Sequence, residues 1–289
     1  MDDFIITTDI TCDLPQDYIE KYQLNTIPLY YHFGDTVYGG DNELEPKEFF
    51  DMMRKGSMPT TTAANPDVTK KLFTSLLDKG YDIIHISFSS GLSGSYSVAA
   101  TVARELNEER PDAKITVIDS LSASLGQGLL VHKALQLKDE GKSFDQIVNW
   151  LESNKLNVCH IFTVDDLNHL RRGGRISRAT AVIGTMIKVK PILYMDNEGH
   201  LMSLQNVRSR KKALTTLVDT MEKQIDGYQG ENKEVFISHG DCLEDAHFVA
   251  TLLKERFGIE KNLINYICPT IGAHSGPGTV ALFFMGKER

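Results

Sequence analysis

Serine and glycine are concentrated in residues 89–95, which read Ser-Ser-Gly-Leu-Ser-Gly-Ser. This segment follows an apolar, β-branched run at residues 82–88 and precedes an amphipathic pattern that begins near Ser95. A loop between a strand and a helix presents free backbone N–H groups and the positive end of the helix dipole. The hydroxyls of Ser93 and Ser95 add donors, and the glycines allow a ligand to approach the backbone closely. The segment predicts an anion site; its alternative is a helix cap with a glycine turn.

Two further segments carry polar groups that suit a ligand. Residues 59–67 hold three consecutive threonines before Asn65 and Pro66, a pair that predicts a helix start with asparagine as the N-cap. Residues 272–278 form a predicted glycine-rich loop around His274, a candidate acid, base or hydrogen-bond donor. Taken alone, neither segment distinguishes a binding role from a structural one.

Residues 165–215 carry a local excess of positive charge. The chain of 289 residues has 31 Lys and Arg against 39 Asp and Glu, a formal net charge of −8. Ten basic and four acidic residues give this segment +6, which leaves −14 on the other 238 residues. Guanidinium groups suit contacts with phosphate or carboxylate, so the segment predicts an anionic partner, with solvated helix faces as the alternative. The arginines of interest are Arg171, Arg172, Arg175, Arg208 and Arg210.

Composition excludes several classes of protein. With 41% hydrophobic and 24% charged residues, the chain is typical of a globular protein. The acidic net charge argues against general nucleic-acid binding, because phosphate contacts need a basic surface. The longest uncharged run, residues 83–103, is interrupted by serines and glycines and predicts no membrane span. Four dispersed cysteines without a C-x-x-C motif, and no basic leader, lead us to expect a cytoplasmic protein.

Strand and helix patterns alternate over the first 160 residues and predict a parallel α/β sheet. Two later strands joined at Asn197, Glu198 and Gly199 predict a hairpin, and therefore a mixed sheet with helices. We expect an α/β fold with an N-terminal domain at residues 1–160 and a C-terminal domain at residues 161–289. The predicted strands are 4–8, 26–31, 82–88, 115–119, 158–164, 191–195, 201–205, 234–238, 263–268 and 280–285. The predicted helices are 68–78, 95–107, 123–140, 144–153, 209–225 and 243–257.

Six segments occur here in the order found in the DegV family, which the chain resembles over nearly its whole length. They are residues 8–15, the segment around Thr61, and residues 90–96, 170–176, 208–213 and 271–278. Members of this family are two-domain α/β lipid binders, and the fatty-acid-binding members of Gram-positive bacteria are called FakB. The resemblance implies that one long-chain fatty acid lies buried between the domains. It also implies that a separate ATP-dependent kinase phosphorylates the carboxylate and that the protein carries the acyl phosphate toward phospholipid synthesis.

The resemblance also implies a role for each site residue. Ser93 would donate to the carboxylate beside the Gly94 amide, Thr61 would be a second ligand, and His274 would support Thr61 and the carboxylate. The five arginines would meet the kinase and its phosphates. The protein would be a monomeric carrier without catalysis, metal or cofactor of its own, with Mg-ATP on the kinase. Transient contact with a membrane surface is compatible with this role.

The sequence departs from the family pattern at three places. Ile10 stands where the family usually has serine, and His169 stands where it usually has tyrosine. Residues 62–64 read Thr-Ala-Ala in place of Ser-Gln-Pro. Thr61 and Ser93 are retained, so the resemblance implies an intact head-group site and an altered pocket near Ile10 and Ala63.

Other readings of the same residues remain open. Ser93, Asp241 and His274 follow the chain order of a serine esterase, although the second glycine of G-x-S-x-G is absent. A ligand-responsive regulator is a third reading, although no helix-turn-helix is recognisable. Residues 239–247 are rich in potential metal ligands, but we interpret Asp241 as a helix cap and Glu244 as its capping-box partner.

Overall fold

The computed structural model describes residues 3–176 and 189–289, so Arg178 and Lys188 of the basic segment lie outside the described residues. The strands are β1 Phe4–Asp9, β2 Asn25–Ile27, β3 Tyr31–Phe33, β4 Thr36–Tyr38, β5 Thr60–Thr61, β6 Asp82–Ser87, β7 Ile115–Asp119, β8 Val158–Thr163, β9 Val189–Met195, β10 Leu201–Arg208, β11 Glu234–His239, β12 Lys261–Tyr266 and β13 Val280–Met285. The α-helices are α1 Gln16–Lys21, α2 Pro46–Arg54, α3 Pro66–Leu77, α4 Ser95–Glu109, α5 Leu125–Asp139, α6 Phe144–Asn154, α7 Asn168–Arg172, α8 Arg210–Gln224, α9 Leu243–Phe257 and α10 Pro269–Ser275.

The first sheet is parallel, in the strand order β2-β1-β6-β7, as the strand–helix alternation predicted. Successive residues of a strand point to opposite faces. Ile83 accordingly packs in the core beneath α3 and α4, whereas Ile84 packs in the core that contains α5. Helix α3 begins as predicted, because the Asn65 side chain accepts from the N–H groups of Asp67 and Val68.

The second sheet is mixed, in the order β10-β9-β8-β13-β11-β12. Its β11–β12 pair is parallel and its other neighbours are antiparallel. The hairpin predicted at residues 197–199 joins β9 to β10. Ile161 and Leu282 pack on the face that faces α8 and α9, whereas Phe162 and Phe283 pack on the opposite face toward α5.

Helix α5 packs against both sheets. Its residues 125–131 are all buried, which is typical of a helix without a solvent-facing side. Two glycines permit this close packing. A Cβ on Gly126 would lie 2.1 Å from Nε2 of His160, and a Cβ on Gly128 would lie 2.5 Å from the carbonyl oxygen of Cys12. The core around α5 therefore includes side chains of both sheets, and the domain boundary at residue 160 stays a prediction.

Three local predictions are wrong. The single strand predicted at residues 26–31 is divided, because Pro28 has no N–H to continue the ladder, and β3 joins a separate small sheet, β4-β3-β5. Most of the loop predicted around His274 is helix α10, which begins at Pro269.

The third wrong prediction is the cap of α9. Cys242, rather than Asp241, occupies the N-cap position, because the Asp241 carboxylate pairs with Arg54 and accepts from the Tyr266 hydroxyl at 3.1 Å.

Candidate functional site

A cavity of about 140 Å³ lies between the two sheets. This volume is roughly ten times what one water molecule needs. Leu29, Phe88 and Ala123 line it from the segments that follow β2, β6 and β7, at the carboxyl edge of the parallel sheet. Ligands of open α/β sheets usually bind at this edge.

The mixed sheet forms the opposite wall of the cavity. Ala281 and Phe283 lie two residues apart on β13, and Phe162 on β8 is paired directly with Ala281, so the three side chains share one face. The β9–β10 hairpin contributes Met195 and Leu201. These walls are apolar and suit an alkyl chain or another apolar ligand.

Hydroxyl groups from two loops meet at one part of the cavity wall. The Thr61 hydroxyl on β5 is 2.8 Å from Nε2 of His274 on α10. The Ser93 hydroxyl is 2.9 Å from the Ser95 hydroxyl and accepts from the Ser95 N–H at 3.2 Å. Gly94 precedes α4, where the first N–H groups of a helix have no partner within the helix. The cluster thus combines hydroxyl donors with the positive end of a helix.

Burial keeps His274 neutral. Its pKa is lowered to about 4, mainly by burial and further by the charges of Arg175 and Arg172. Arg175 also lines the cavity, and its guanidinium donates to the carbonyl oxygens of Leu92, at 3.2 Å, and Gly173. Among the described residues, no Asp or Glu lines the cavity. An anion at this cluster would therefore meet donors and one cation without a competing carboxylate.

The four residues predicted to bind a carboxylate, Thr61, Ser93, Gly94 and His274, all line the cavity. The bond from the Ala64 N–H to the Ser95 hydroxyl joins the Thr61 segment to the loop of Ser93. The five arginines are not equivalent. Arg171 and Arg172 are exposed on α7, Arg208 is exposed at the end of β10, and Arg175 lines the cavity. Arg210 pairs with Asp245 at 2.8 Å and with Asp165 at 3.5 Å, so two carboxylates offset its charge.

Sequence reasoning missed several residues of the site. Arg175 was grouped with the surface arginines, and the apolar walls were not predicted at all. Residues 160, 162, 281 and 283 could have been found from the two-residue period of their strands, but only once the buried side of each strand was known. Ser95 was considered only as a direct donor to a ligand, whereas its side chain is fully buried.

The geometry offers little support for the esterase reading. The His274 ring bonds to Thr61, the Ser93 hydroxyl bonds to Ser95, and Asp241 pairs with Arg54.

The described residues contain no group of His, Cys, Asp and Glu arranged to hold a metal ion. Within the same residues, no helix is both long enough and apolar enough to cross a bilayer. All four cysteines are free thiols.

The fold and the site define a two-sheet α/β protein with an apolar cavity between the sheets and hydroxyl donors on the cavity wall. A family profile described as "Uncharacterised protein, DegV family" matches residues 3–287. A DegV domain-containing protein of Clostridium perfringens is 41% identical over 100% of this chain and 99% of its own length. The chain belongs to the DegV family.

Solved structures show the same fold. A fatty-acid-binding DegV family protein from Thermus thermophilus is 27% identical, with a TM-score of 0.87 over 98% of this chain and 99% of that one. DegV from Bacillus subtilis, a fatty acid binding protein, is 30% identical, with a TM-score of 0.85 over 99% and 100%. A stearic-acid-binding protein from Eubacterium ventriosum is 25% identical, with a TM-score of 0.90 over 98% of both chains.

Proposed function

We propose that this protein binds one long-chain fatty acid, with the alkyl chain in the cavity and the carboxylate at the hydroxyl cluster. The observation that carries the proposal is an apolar cavity whose polar wall holds donors and no carboxylate among the described residues. Burying a methylene contributes about 0.8 kcal/mol, so about fourteen methylenes give a gross term near 11 kcal/mol. The alkyl chain therefore supplies the affinity, and the cluster orients the head group.

The carboxylate accepts hydrogen bonds from Ser93, Thr61 and the Gly94 N–H in this proposal. The 2.8 Å contact between Nε2 of His274 and the Thr61 hydroxyl requires no charge on the ring. Neutral His274 can therefore hold the Thr61 hydroxyl in place. The direct contacts to the carboxylate come from hydroxyl and amide donors, which hold an anion less firmly than a direct ion pair does, while the Arg175 guanidinium donates to the carbonyl oxygens of Leu92 and Gly173. One carboxylate oxygen can thus remain available for reaction.

The phosphoryl transfer in this proposed function takes place on a partner protein. Transfer of a phosphoryl group to the carboxylate requires Mg-ATP, and the sequence contains no nucleotide-binding loop. We assign that chemistry to a separate cytoplasmic fatty acid kinase, after which this protein carries the acyl phosphate to phospholipid synthesis. The exposed guanidinium groups of Arg171, Arg172 and Arg208 suit an acidic kinase surface or the transferring phosphate.

Native mass spectrometry with solvent extraction tests lipid binding. We expect the purified protein to retain one fatty acid, and the Thr61→Ala/Ser93→Ala variant to lose it, because both hydroxyl donors are then absent. The exposed neighbours provide a matched control, and Thr60→Ala/Ser97→Ala should retain the lipid. A folded wild-type protein that is empty and takes up no added fatty acid would contradict the proposal.

Charge reversal tests the kinase-facing surface. We expect Arg171→Glu/Arg172→Glu to lower acyl phosphate formation by a partner kinase at least tenfold while fatty-acid binding stays unchanged, because both side chains are exposed on α7. Lys71→Glu/Lys79→Glu makes the same charge change at exposed residues outside the basic segment and should have little effect. Equal phosphorylation of both variants would exclude Arg171 and Arg172 from the contact.

A further inference from the structure

Ser95 lies directly behind the hydroxyl cluster. It is the first residue of α4, and its side chain is fully buried. Its hydroxyl oxygen accepts from the Ala64 N–H at 3.0 Å and lies 2.9 Å from the Ser93 hydroxyl. Ser95 therefore connects the Thr61 segment to the loop that carries Ser93.

The direction of the hydrogen bond between the Ser95 and Ser93 hydroxyls decides where the Ser93 hydrogen points, and the positions of the two oxygens allow either direction. A hydroxyl has one donor and two acceptor lone pairs. The Ser93 oxygen already accepts from the Ser95 N–H. If the Ser95 hydroxyl also donates to it, both lone pairs of Ser93 are occupied, and the Ser93 hydrogen is left to point into the cavity. If Ser93 donated to Ser95 instead, the Ser93 hydrogen would not be available to an anion in the cavity.

We propose that Ser95 is a positioning residue that makes Ser93 a dedicated hydrogen-bond donor, so that the cavity selects lipids with a charged acceptor head group. This inference rests on the proposed function and adds its head-group selectivity. A hydrogen bond to a carboxylate is roughly twice as strong as one between neutral groups, so a committed donor favours a fatty acid over the corresponding fatty alcohol. The apolar walls of the cavity contact the alkyl chains of the fatty acid and the fatty alcohol in the same way.

The ratio of fatty-alcohol to fatty-acid dissociation constants isolates this effect. Palmitic acid and hexadecanol have the same number of carbons and nearly the same alkyl chain, so a general loosening of the fold changes both constants and leaves their ratio unchanged. We expect Ser95→Ala to lower the ratio about tenfold, and Ser95→Thr, which keeps the hydroxyl, to restore most of it. In a Ser93→Ala background, Ser95→Ala should change the ratio no further, because the residue acts through Ser93.

Each outcome decides the inference. If Ser95→Ala leaves the ratio of dissociation constants unchanged, the role of Ser95 is overturned. It is also overturned if Ser95→Ala lowers the ratio as much in the Ser93→Ala background as in the wild type. If Ser95→Ala does not fold, Ser95→Cys, which keeps the side-chain size but is a weak donor, should show the same fall, and an unchanged ratio there would overturn it. A wild-type protein that binds neither lipid would overturn the proposed function as well. If the wild type binds both lipids, the ratio in the Ser95 variants tests the role of Ser95 by itself.

Discussion

Replacing Ala281 by phenylalanine should reduce fatty-acid affinity more than 100-fold. Ala281 on β13 lines the cavity, and its side chain lies on the same face as Phe283. A phenyl ring would occupy the space of about four methylenes, and at about 0.8 kcal/mol each the loss is about 3 kcal/mol. Isothermal titration with palmitic acid measures the affinity directly.

Ala250→Phe is the matched control, because it adds the same ring at a half-buried residue of α9 that does not line the cavity. It should bind palmitic acid as the wild type does. Circular dichroism and a melting curve establish that both variants are folded. A folded Ala281→Phe protein with wild-type affinity would show that the alkyl chain lies elsewhere.

Asp13→Asn should remove a large pH dependence from the stability of the protein. Asp13 is buried between the two sheets, where its carboxylate accepts from the Cys268 N–H at 3.0 Å and from the Ser124 hydroxyl. Ser124 in turn lies 2.7 Å from the Ser238 hydroxyl on β11. Burial raises the pKa of Asp13 from 3.8 to about 7, although the bonds from Ser124 and Cys268 partly oppose the shift.

A raised pKa means that folding binds a proton between pH 4 and pH 7. The contribution of Asp13 to the free energy of unfolding is therefore greatest below pH 4 and is lost as the pH rises through 7. About three pKa units at about 1.4 kcal/mol each correspond to a loss of about 4 kcal/mol. Asparagine has nearly the same shape and does not titrate. It can accept from Cys268 and donate to Ser124.

Urea unfolding from pH 4 to pH 8 measures this effect. The wild type should lose stability relative to Asp13→Asn as the pH rises, and the difference should level off above pH 8. Asp17→Asn changes an exposed carboxylate in the same part of the chain and should follow the wild type. Parallel curves for the wild type and Asp13→Asn would show that Asp13 does not titrate in this range.

Elements whose signals are local could be predicted from the sequence. Strands β7 and β13 and helix α9 have the predicted bounds, because each is a continuous apolar or amphipathic run of residues. The α3 start at Asn65 and Pro66 was also predicted, since a helix cap depends on neighbouring residues. The DegV family membership is confirmed, because its motifs can be compared in order along the chain.

Other features depend on contacts between distant parts of the chain. Thr61 and His274 are 213 residues apart, and only the packing of α10 beside β5 brings them within 2.8 Å. The small sheet was missed because its strands have only two or three residues each. Helix α2 was also missed, although its buried Phe49, Phe50 and Met53 have helical spacing that could have identified it. A strand pattern also does not say which sheet it joins, and for this reason β2 and β3 were predicted as one strand.

The family, the α/β alternation and the residue types able to bind an anion could be predicted from the sequence alone, because each of these is encoded in neighbouring residues. Tertiary structure alone decided which groups face the cavity. Arg175 and Arg171 belong to one arginine-rich motif, yet packing against the Leu92 carbonyl directs the first to the cavity and leaves the second exposed. Burial and hydrogen-bond partners depend on the three-dimensional surroundings of a side chain, which its neighbours in sequence do not specify.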